Sequence, residues 1–472
     1  MPVTTSSVPK QEYGSTAADS RTGRQAHTAV TPVVRWSVLT GAALSVVLSI
    51  GLALRLVPVG SRAGHYVYPY VRSFAPELLW PFCTVAAVVV AGLWLSARWH
   101  GQRPLAVVAG WMAAAVPVQL LLRVNDDAPL GAIVTSTRAN GFWDAAHAYT
   151  AGEFLARHAD VVEQLDSHVR TNMAGKTVFY QLLAAVAGTP FGAGVLIVGV
   201  SSMSALLLYL IARDLLDPRT ALYALVLVIM VPGKVYFLPI LNTVAPVAVL
   251  AALWLMVRYL RCPHWTWAAG MGTLLYLTVF FEPLPMALGL VFVGLLGWAL
   301  ATGRISGAAL RRLCAAAVGA FVAVHLLMRQ LAGYDLLADF SYVFVDANNF
   351  NGNGHRPYQV WVVRNLWDFA VSAGLASVVL VVACLLDAVR RGLARPAAVV
   401  AVCAAATLAA VDLIGVNRGE TVRLWIFLAV FWQLPAAWLC ARTSRMWPIA
   451  LTVTVTVLQV AVGLAMIGFV RI

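Results

Sequence analysis

Charge is what this chain lacks. Of its 472 residues only 11% are Asp, Glu, Lys or Arg, against about 25% in a soluble domain, and 61% are hydrophobic. Water is therefore not its main solvent, and no polar stretch is long enough for a separate soluble domain. Lysine is confined to Lys10, Lys176 and Lys234, so the net charge of +13 rests on arginine. The arginines fall in short clusters between apolar runs and not along one face, which excludes nucleic-acid binding as their purpose. With the abundance of Ala and Val, the arginine usage suggests a GC-rich bacterial genome. Cysteine is sparse: Cys83, Cys262, Cys314, Cys384, Cys403 and Cys440 lie in apolar runs or beside arginine clusters, so neither disulfides nor a metal site is expected.

Apolar runs of about 20 residues, enough to cross about 30 Å of hydrocarbon, recur from residue 36 onward. They predict an all-α, polytopic transmembrane helical bundle of about 13 spans, forming a single domain over residues 35–472. The spans are expected at 36–57, 78–97, 104–122, 192–213, 219–232, 243–258, 265–281, 285–302, 313–330, 366–386, 397–415, 421–440 and 446–470. Residues 1–34, polar and without an apolar core, are expected to be a disordered cytoplasmic tail and not a signal peptide. Positively charged short connections stay in the cytoplasm. Arg98/Arg103, Arg213/Arg219, Arg258/Arg261, Arg304/Arg311/Arg312, Arg390/Arg391/Arg395 and Arg442/Arg445 each mark such a connection. The N-terminus is thus expected inside a bacterial inner membrane and the C-terminus outside.

Two outward connections are long, residues 123–176 and 331–365, and connections of such length are commonly functional. The first carries spaced apolar residues over 144–166 that suit amphipathic helices on the membrane surface. Residues 177–188 are too short to cross and are expected to be a re-entrant or partly inserted helix. In the second, Asp346 to Gly354 is expected to be a loop and a mobile lid. No internal repeat is visible.

Several residues carry candidate chemistry. Asp126 and Asp127 follow the third span, where a carboxylate at the membrane edge can act as a general base; Asp144 follows the pair Phe142-Trp143 and is a further candidate. Acids also simply terminate helices. His168, Arg170 and Lys176, with Gly175 at a helix start, suit a phosphate, although the spacing is not that of a nucleotide-binding loop. Lys234 lies on an outward turn where cations should be rare, and Glu282 lies on another. Arg356, Tyr358, Arg364 and Asp368 stand among aromatics, a composition that fits a sugar phosphate as well as an interfacial belt. Glu420 and Arg423 are three apart, on one helix face, where they can pair.

Gly419-Glu420-Thr421-Val422-Arg423-Leu424-Trp425, together with Arg356-Pro357-Tyr358 and the long first outer connection, resembles the GT-C superfamily of membrane glycosyltransferases, protein mannosyltransferase-like and arabinosyltransferase-like enzymes. The resemblance covers most of residues 36–440. It implies a GT-C-like fold and transfer of a sugar from a polyprenyl-phosphate donor to a glycan, lipid or protein acceptor at the outer face. Asp126, Asp127 or Asp144 would serve as base for an inverting displacement, and Lys176, Lys234, Arg356 and Arg423 would hold the donor phosphate. No further cofactor is implied with certainty, and a divalent metal is left open. The family pattern has a second His, then Pro-Pro, where this chain has Asn172 and Met173-Ala174, and an acid where it has Asn242. A transporter or flippase, or an inactive relative serving as a scaffold, are the competing readings.

Overall fold

A computed structural model describes residues 19–472, with side chains described from Pro32 onward apart from Asn348 and Phe350. Residues 1–18 of the expected tail lie outside the described residues, and the first helix already begins at Asp19. Between their connections the described residues are helical, with a two-stranded hairpin, Gly60–Ser61 with Tyr66–Val67, and one isolated bridge between Tyr70 and Ile467. Among the described residues ten helices are long and apolar enough to cross a membrane, as expected of a multi-pass membrane protein. Every expected span coincides with helix, but Trp265–Phe281 and Ile426–Ala441 are shorter than the ten.

One expected span departs from the pattern. The stretch anticipated as a single crossing at 366–386 is two helices, Tyr358–Ala373 and Leu375–Arg391, bent by 108°. Gly374 sits at the break with a φ of +89°, a conformation that terminates an α-helix and is open to glycine. A second correction concerns the anticipated lid loop. Residues 346–353 continue the helix Leu336–Asn353, because the run from Leu336 to Phe350 holds enough helix-compatible apolar residues to carry the Asn/Gly stretch with it. The residues expected to be re-entrant do form a short helix, Gly175–Ala187.

Burial sorts the helices. Pro218–Tyr236 is 94% buried over its apolar window and so forms the centre of the bundle, whereas Gly307–Ala332 is 11% buried and lies at the periphery. A helix apolar all round and packed on every side is what a bundle centre requires. Small residues let neighbours approach: a Cβ on Gly272 would stand 2.0 Å from the carbonyl oxygen of Ala317, so Trp265–Phe281 touches Gly307–Ala332 backbone to backbone.

The arginine-bearing connections gather at one end. Asp214 lies within 3.6 Å of Arg213, 3.7 Å of Arg258 and 2.8 Å of Arg261, and Asp387 bridges Arg391 and Arg442 at 2.8 and 3.1 Å. Arg219 donates to the Arg445 carbonyl. The long connections meet one another at the opposite ends of these helices, around the site described next.

Candidate functional site

Three stretches far apart in sequence close around one cavity of about 230 Å³: residues 167–172, 346–356 and 416–424. Its walls include His168, Arg170, Asp346, Arg356, Arg418 and Arg423. Four arginines against the acids Asp346 and Glu420 leave the cavity net positive.

The third stretch is shaped by backbone geometry. Gly415 and Gly419 have φ of +68° and +84°, and Glu420 follows at +59°, a left-handed conformation that is uncommon outside glycine. Glu420 is kept there by its own carboxylate, which accepts from Arg356 Nη2 at 2.9 Å on one oxygen and from Arg423 Nη2 at 2.6 Å on the other. All three residues are largely buried. Burial would raise the Glu420 carboxyl, but the two guanidinium groups outweigh it and hold it below the ordinary carboxylate range. His355, just before Arg356, is also left-handed, at φ +47°, so both halves of the pair sit at constrained turns.

A shell of hydrogen bonds fixes the turn. Asn365 donates to Asp412 and to the Asn417 carbonyl, Asn351 donates to the Val416 carbonyl, and Arg356 Nη1 donates to the Arg418 carbonyl. Tyr358 donates to the Leu413 carbonyl while its ring lies 5.6 Å under the Arg418 guanidinium. Arg356 is also stacked over Tyr66 at 4.8 Å. Burial first, and the Glu420 charge second, push the Tyr66 phenol up to about 12, so it is neutral.

Beside this triad stands a second ion pair. Lys176 Nζ is 2.9 Å from Glu282 Oε2 and 2.7 Å from Asn172 Oδ1, and Asn242 Nδ2 donates to both Glu282 oxygens at 3.0 and 3.2 Å. Asn172 and Asn242, two of the positions at which the chain departs from the pattern it resembles, thus both hold the Lys176–Glu282 pair.

The candidate residues divide as follows. His168, Arg170, Arg356, Glu420 and Arg423 line the cavity, with His168 Nε2 tethered to the Arg138 carbonyl at 2.7 Å. Burial, then the nearby Arg423 charge, lower the His168 pKa. Lys176 belongs to the adjoining pair, and Tyr358 props Arg418. Gly175 does not offer its helix start to the cavity. A Cβ there would lie 2.3 Å from the Phe280 carbonyl oxygen, and the Ala174 N–H already donates to Asp339.

Other candidates lie off the cavity wall. Asp126 is buried against Arg123, whose guanidinium also donates to the carbonyls of Val235 and Tyr236. Asp127 pairs with Arg72 at the surface, and Asp144 is exposed in the first turn of Phe142–Ala148. Asp368 accepts from the Gly60 N–H and pairs with Arg364, pinning the small hairpin to Tyr358–Ala373. Lys234 is fully buried, and among the described residues its amine has no partner.

Sequence reasoning passed over several participants. Asp346 was read only as the start of a loop, and neither Tyr66, in the connection 58–77, nor Arg123, at the start of the first long outward connection, was given a role. Among the described residues no group of three or more His, Cys, Asp or Glu side chains is arranged to hold a metal ion. Searches of family models and of curated proteins find no match to the chain.

Proposed function

We propose that this chain is a GT-C-like membrane glycosyltransferase that moves a sugar from a polyprenyl-phosphate donor to a cell-envelope glycan, lipid or protein acceptor at the outer face of a bacterial inner membrane. The observation that carries this reading is the convergence of His168, Arg170, Arg356, Arg418 and Arg423 on one cavity between the two long connections. Fixed guanidinium groups suit a phosphate both as ligand and as leaving group.

In this reading the acceptor hydroxyl oxygen attacks the anomeric carbon, the bond from that carbon to the phosphate oxygen breaks, and a carboxylate takes the acceptor proton. Arg356 and Arg423 stabilise the charge that gathers on the departing polyprenyl phosphate. Glu420 is a positioning residue, since both its oxygens are engaged in aiming those two arginines. For the base, Asp346 joins Asp126, Asp127 and Asp144: it lies on the cavity wall, and its ion-pair partner among the described residues is Arg170, at 3.9 Å.

The test is transfer from a labelled polyprenyl-phosphate sugar in membranes carrying single variants. Arg356→Ala and Arg423→Ala are expected to lower the rate at least about 100-fold, the usual effect of losing one such donor. One of Asp346→Asn, Asp126→Asn, Asp127→Asn and Asp144→Asn is expected to lower it comparably. Undiminished transfer in all four aspartate variants sinks the carboxylate base.

Two features favour a transporter of lipid-linked substrates instead: Lys234 inside the bundle, whose amine has no partner among the described residues, and the 108° break at Gly374. Flipping of a fluorescent polyprenyl phosphate in proteoliposomes, without sugar transfer, would select that reading.

A further inference from the structure

A cavity larger than the one above lies at the arginine-bearing end, with a volume of about 950 Å³. It lies between the helix Pro32–Ala53, the start of Pro218–Tyr236 and the short connection ahead of Trp447–Met466. Arg35, Arg219, Arg442 and Arg445 line it, and among the described residues no Asp or Glu does.

The acids of this end have other partners. Asp214 takes Arg213, Arg258 and Arg261; Asp387 takes Arg391 and, of the cavity arginines, Arg442; and Asp217 accepts from the Arg219 and Thr220 N–H groups and the Thr220 hydroxyl. Among the described residues no carboxylate pairs with Arg35, Arg219 or Arg445. Arg219 is nevertheless held in place, by the Tyr223 hydroxyl at 3.0 Å and the Arg445 carbonyl at 3.3 Å, both neutral acceptors. Its guanidinium is oriented without an ion pair among the described residues. Like charges gathered on one concave wall repel one another, and an anion between them relieves that repulsion.

The shape of the site selects among anions. Thr443 and Ser444 add hydroxyls to the arginine wall, while Val34, Leu39 and Trp447 give it an apolar side. Leu39 and Trp36 are exposed on the adjoining helix, so the cavity opens where the acyl-chain region meets the headgroups. A group with a phosphate at one end and hydrocarbon at the other matches both walls. We infer that this cavity binds the phosphate of an anionic phospholipid from the leaflet at the arginine-bearing end. The inference is independent of sugar transfer.

The full chain, reconstituted in nanodiscs of phosphatidylglycerol mixed with phosphatidylcholine and then released into detergent, is analysed for retained lipid by native mass spectrometry. Wild type is expected to retain phosphatidylglycerol in preference to phosphatidylcholine. In the double variant Arg35→Gln/Arg445→Gln that preference should fall about 25-fold, from about fivefold per arginine near a membrane surface. Arg311→Gln/Arg312→Gln, which removes two arginines of the same end away from the cavity, should leave it unchanged. Equal retention in wild type and the Arg35/Arg445 variant, or equal loss in both double variants, overturns the site. Displacement of the retained lipid by millimolar inorganic phosphate overturns the lipid assignment in favour of a soluble phosphate.

Discussion

Asn242 donates its side-chain amide to both oxygens of Glu282, at 3.0 and 3.2 Å, while Lys176 neutralises the same carboxylate at 2.9 Å. An acid at position 242 would meet Glu282 as a second negative charge, with one lysine between them. The asparagine is therefore the residue that leaves this pair balanced.

Asn242→Asp should destabilise the protein by about 1–3 kcal/mol, the cost of replacing a buried donor by an unsatisfied, like-charged group. Thermal unfolding in detergent measures it, and a variant as stable as wild type would remove the account of Asn242.

Glu420→Gln should destabilise by about 3–5 kcal/mol, since it leaves Arg356 and Arg423 buried without their common counter-charge. The folded carboxyl titrates below its ordinary value of 4.5. Its stabilising contribution is therefore complete above that value and is lost as pH falls through the folded pKa. Unfolding curves between pH 3 and 7 should show an acid limb in wild type that is smaller in the variant.

Lys234→Met should raise thermal stability by about 1–4 kcal/mol, because it replaces a fully buried cation that has no partner among the described residues by an apolar side chain of similar length. A lower melting temperature would mean that the amine is paired. A rise accompanied by loss of transfer or flipping would mark Lys234 as a residue kept for function at the expense of stability.

Gly419→Ala should cost about 1–3 kcal/mol, for two reasons that add. The residue has φ +84°, and a Cβ there would stand 2.9 Å from the Trp361 ring. Because Glu420 follows directly, sugar transfer should fall with stability, and measurement at a temperature where the variant is fully folded separates the two effects.

Much of the architecture was legible in composition because a membrane imposes it. Apolar runs must be long enough to cross, and their backbone must be helical to satisfy its own hydrogen bonds, so local counting finds the helices. The Glu420–Arg423 pair was expected from its spacing, but on a helix face, whereas Glu420 stands in a left-handed turn just ahead of the short helix Thr421–Leu424. The break at Gly374 was not legible, because glycine is common in membrane helices and only the neighbouring elements show that this one turns the chain through 108°. The helix carrying Asp346 was hidden behind Asn and Gly, residues whose turn preference is weak enough for context to override.

The sequence by itself determined the solvent of this protein, its helical class and the segregation of arginine into short connections, because each follows from hydrophobicity and charge read locally. It also determined which residues were available to meet. Only the tertiary structure decided which of them do: Arg356 reaches Glu420 across 64 positions, and Asn242 reaches Glu282 across 40. The physical reason is that a buried charge must find its partner in space. Helices packed side by side bring such partners together from segments whose separation along the chain carries no information about their distance.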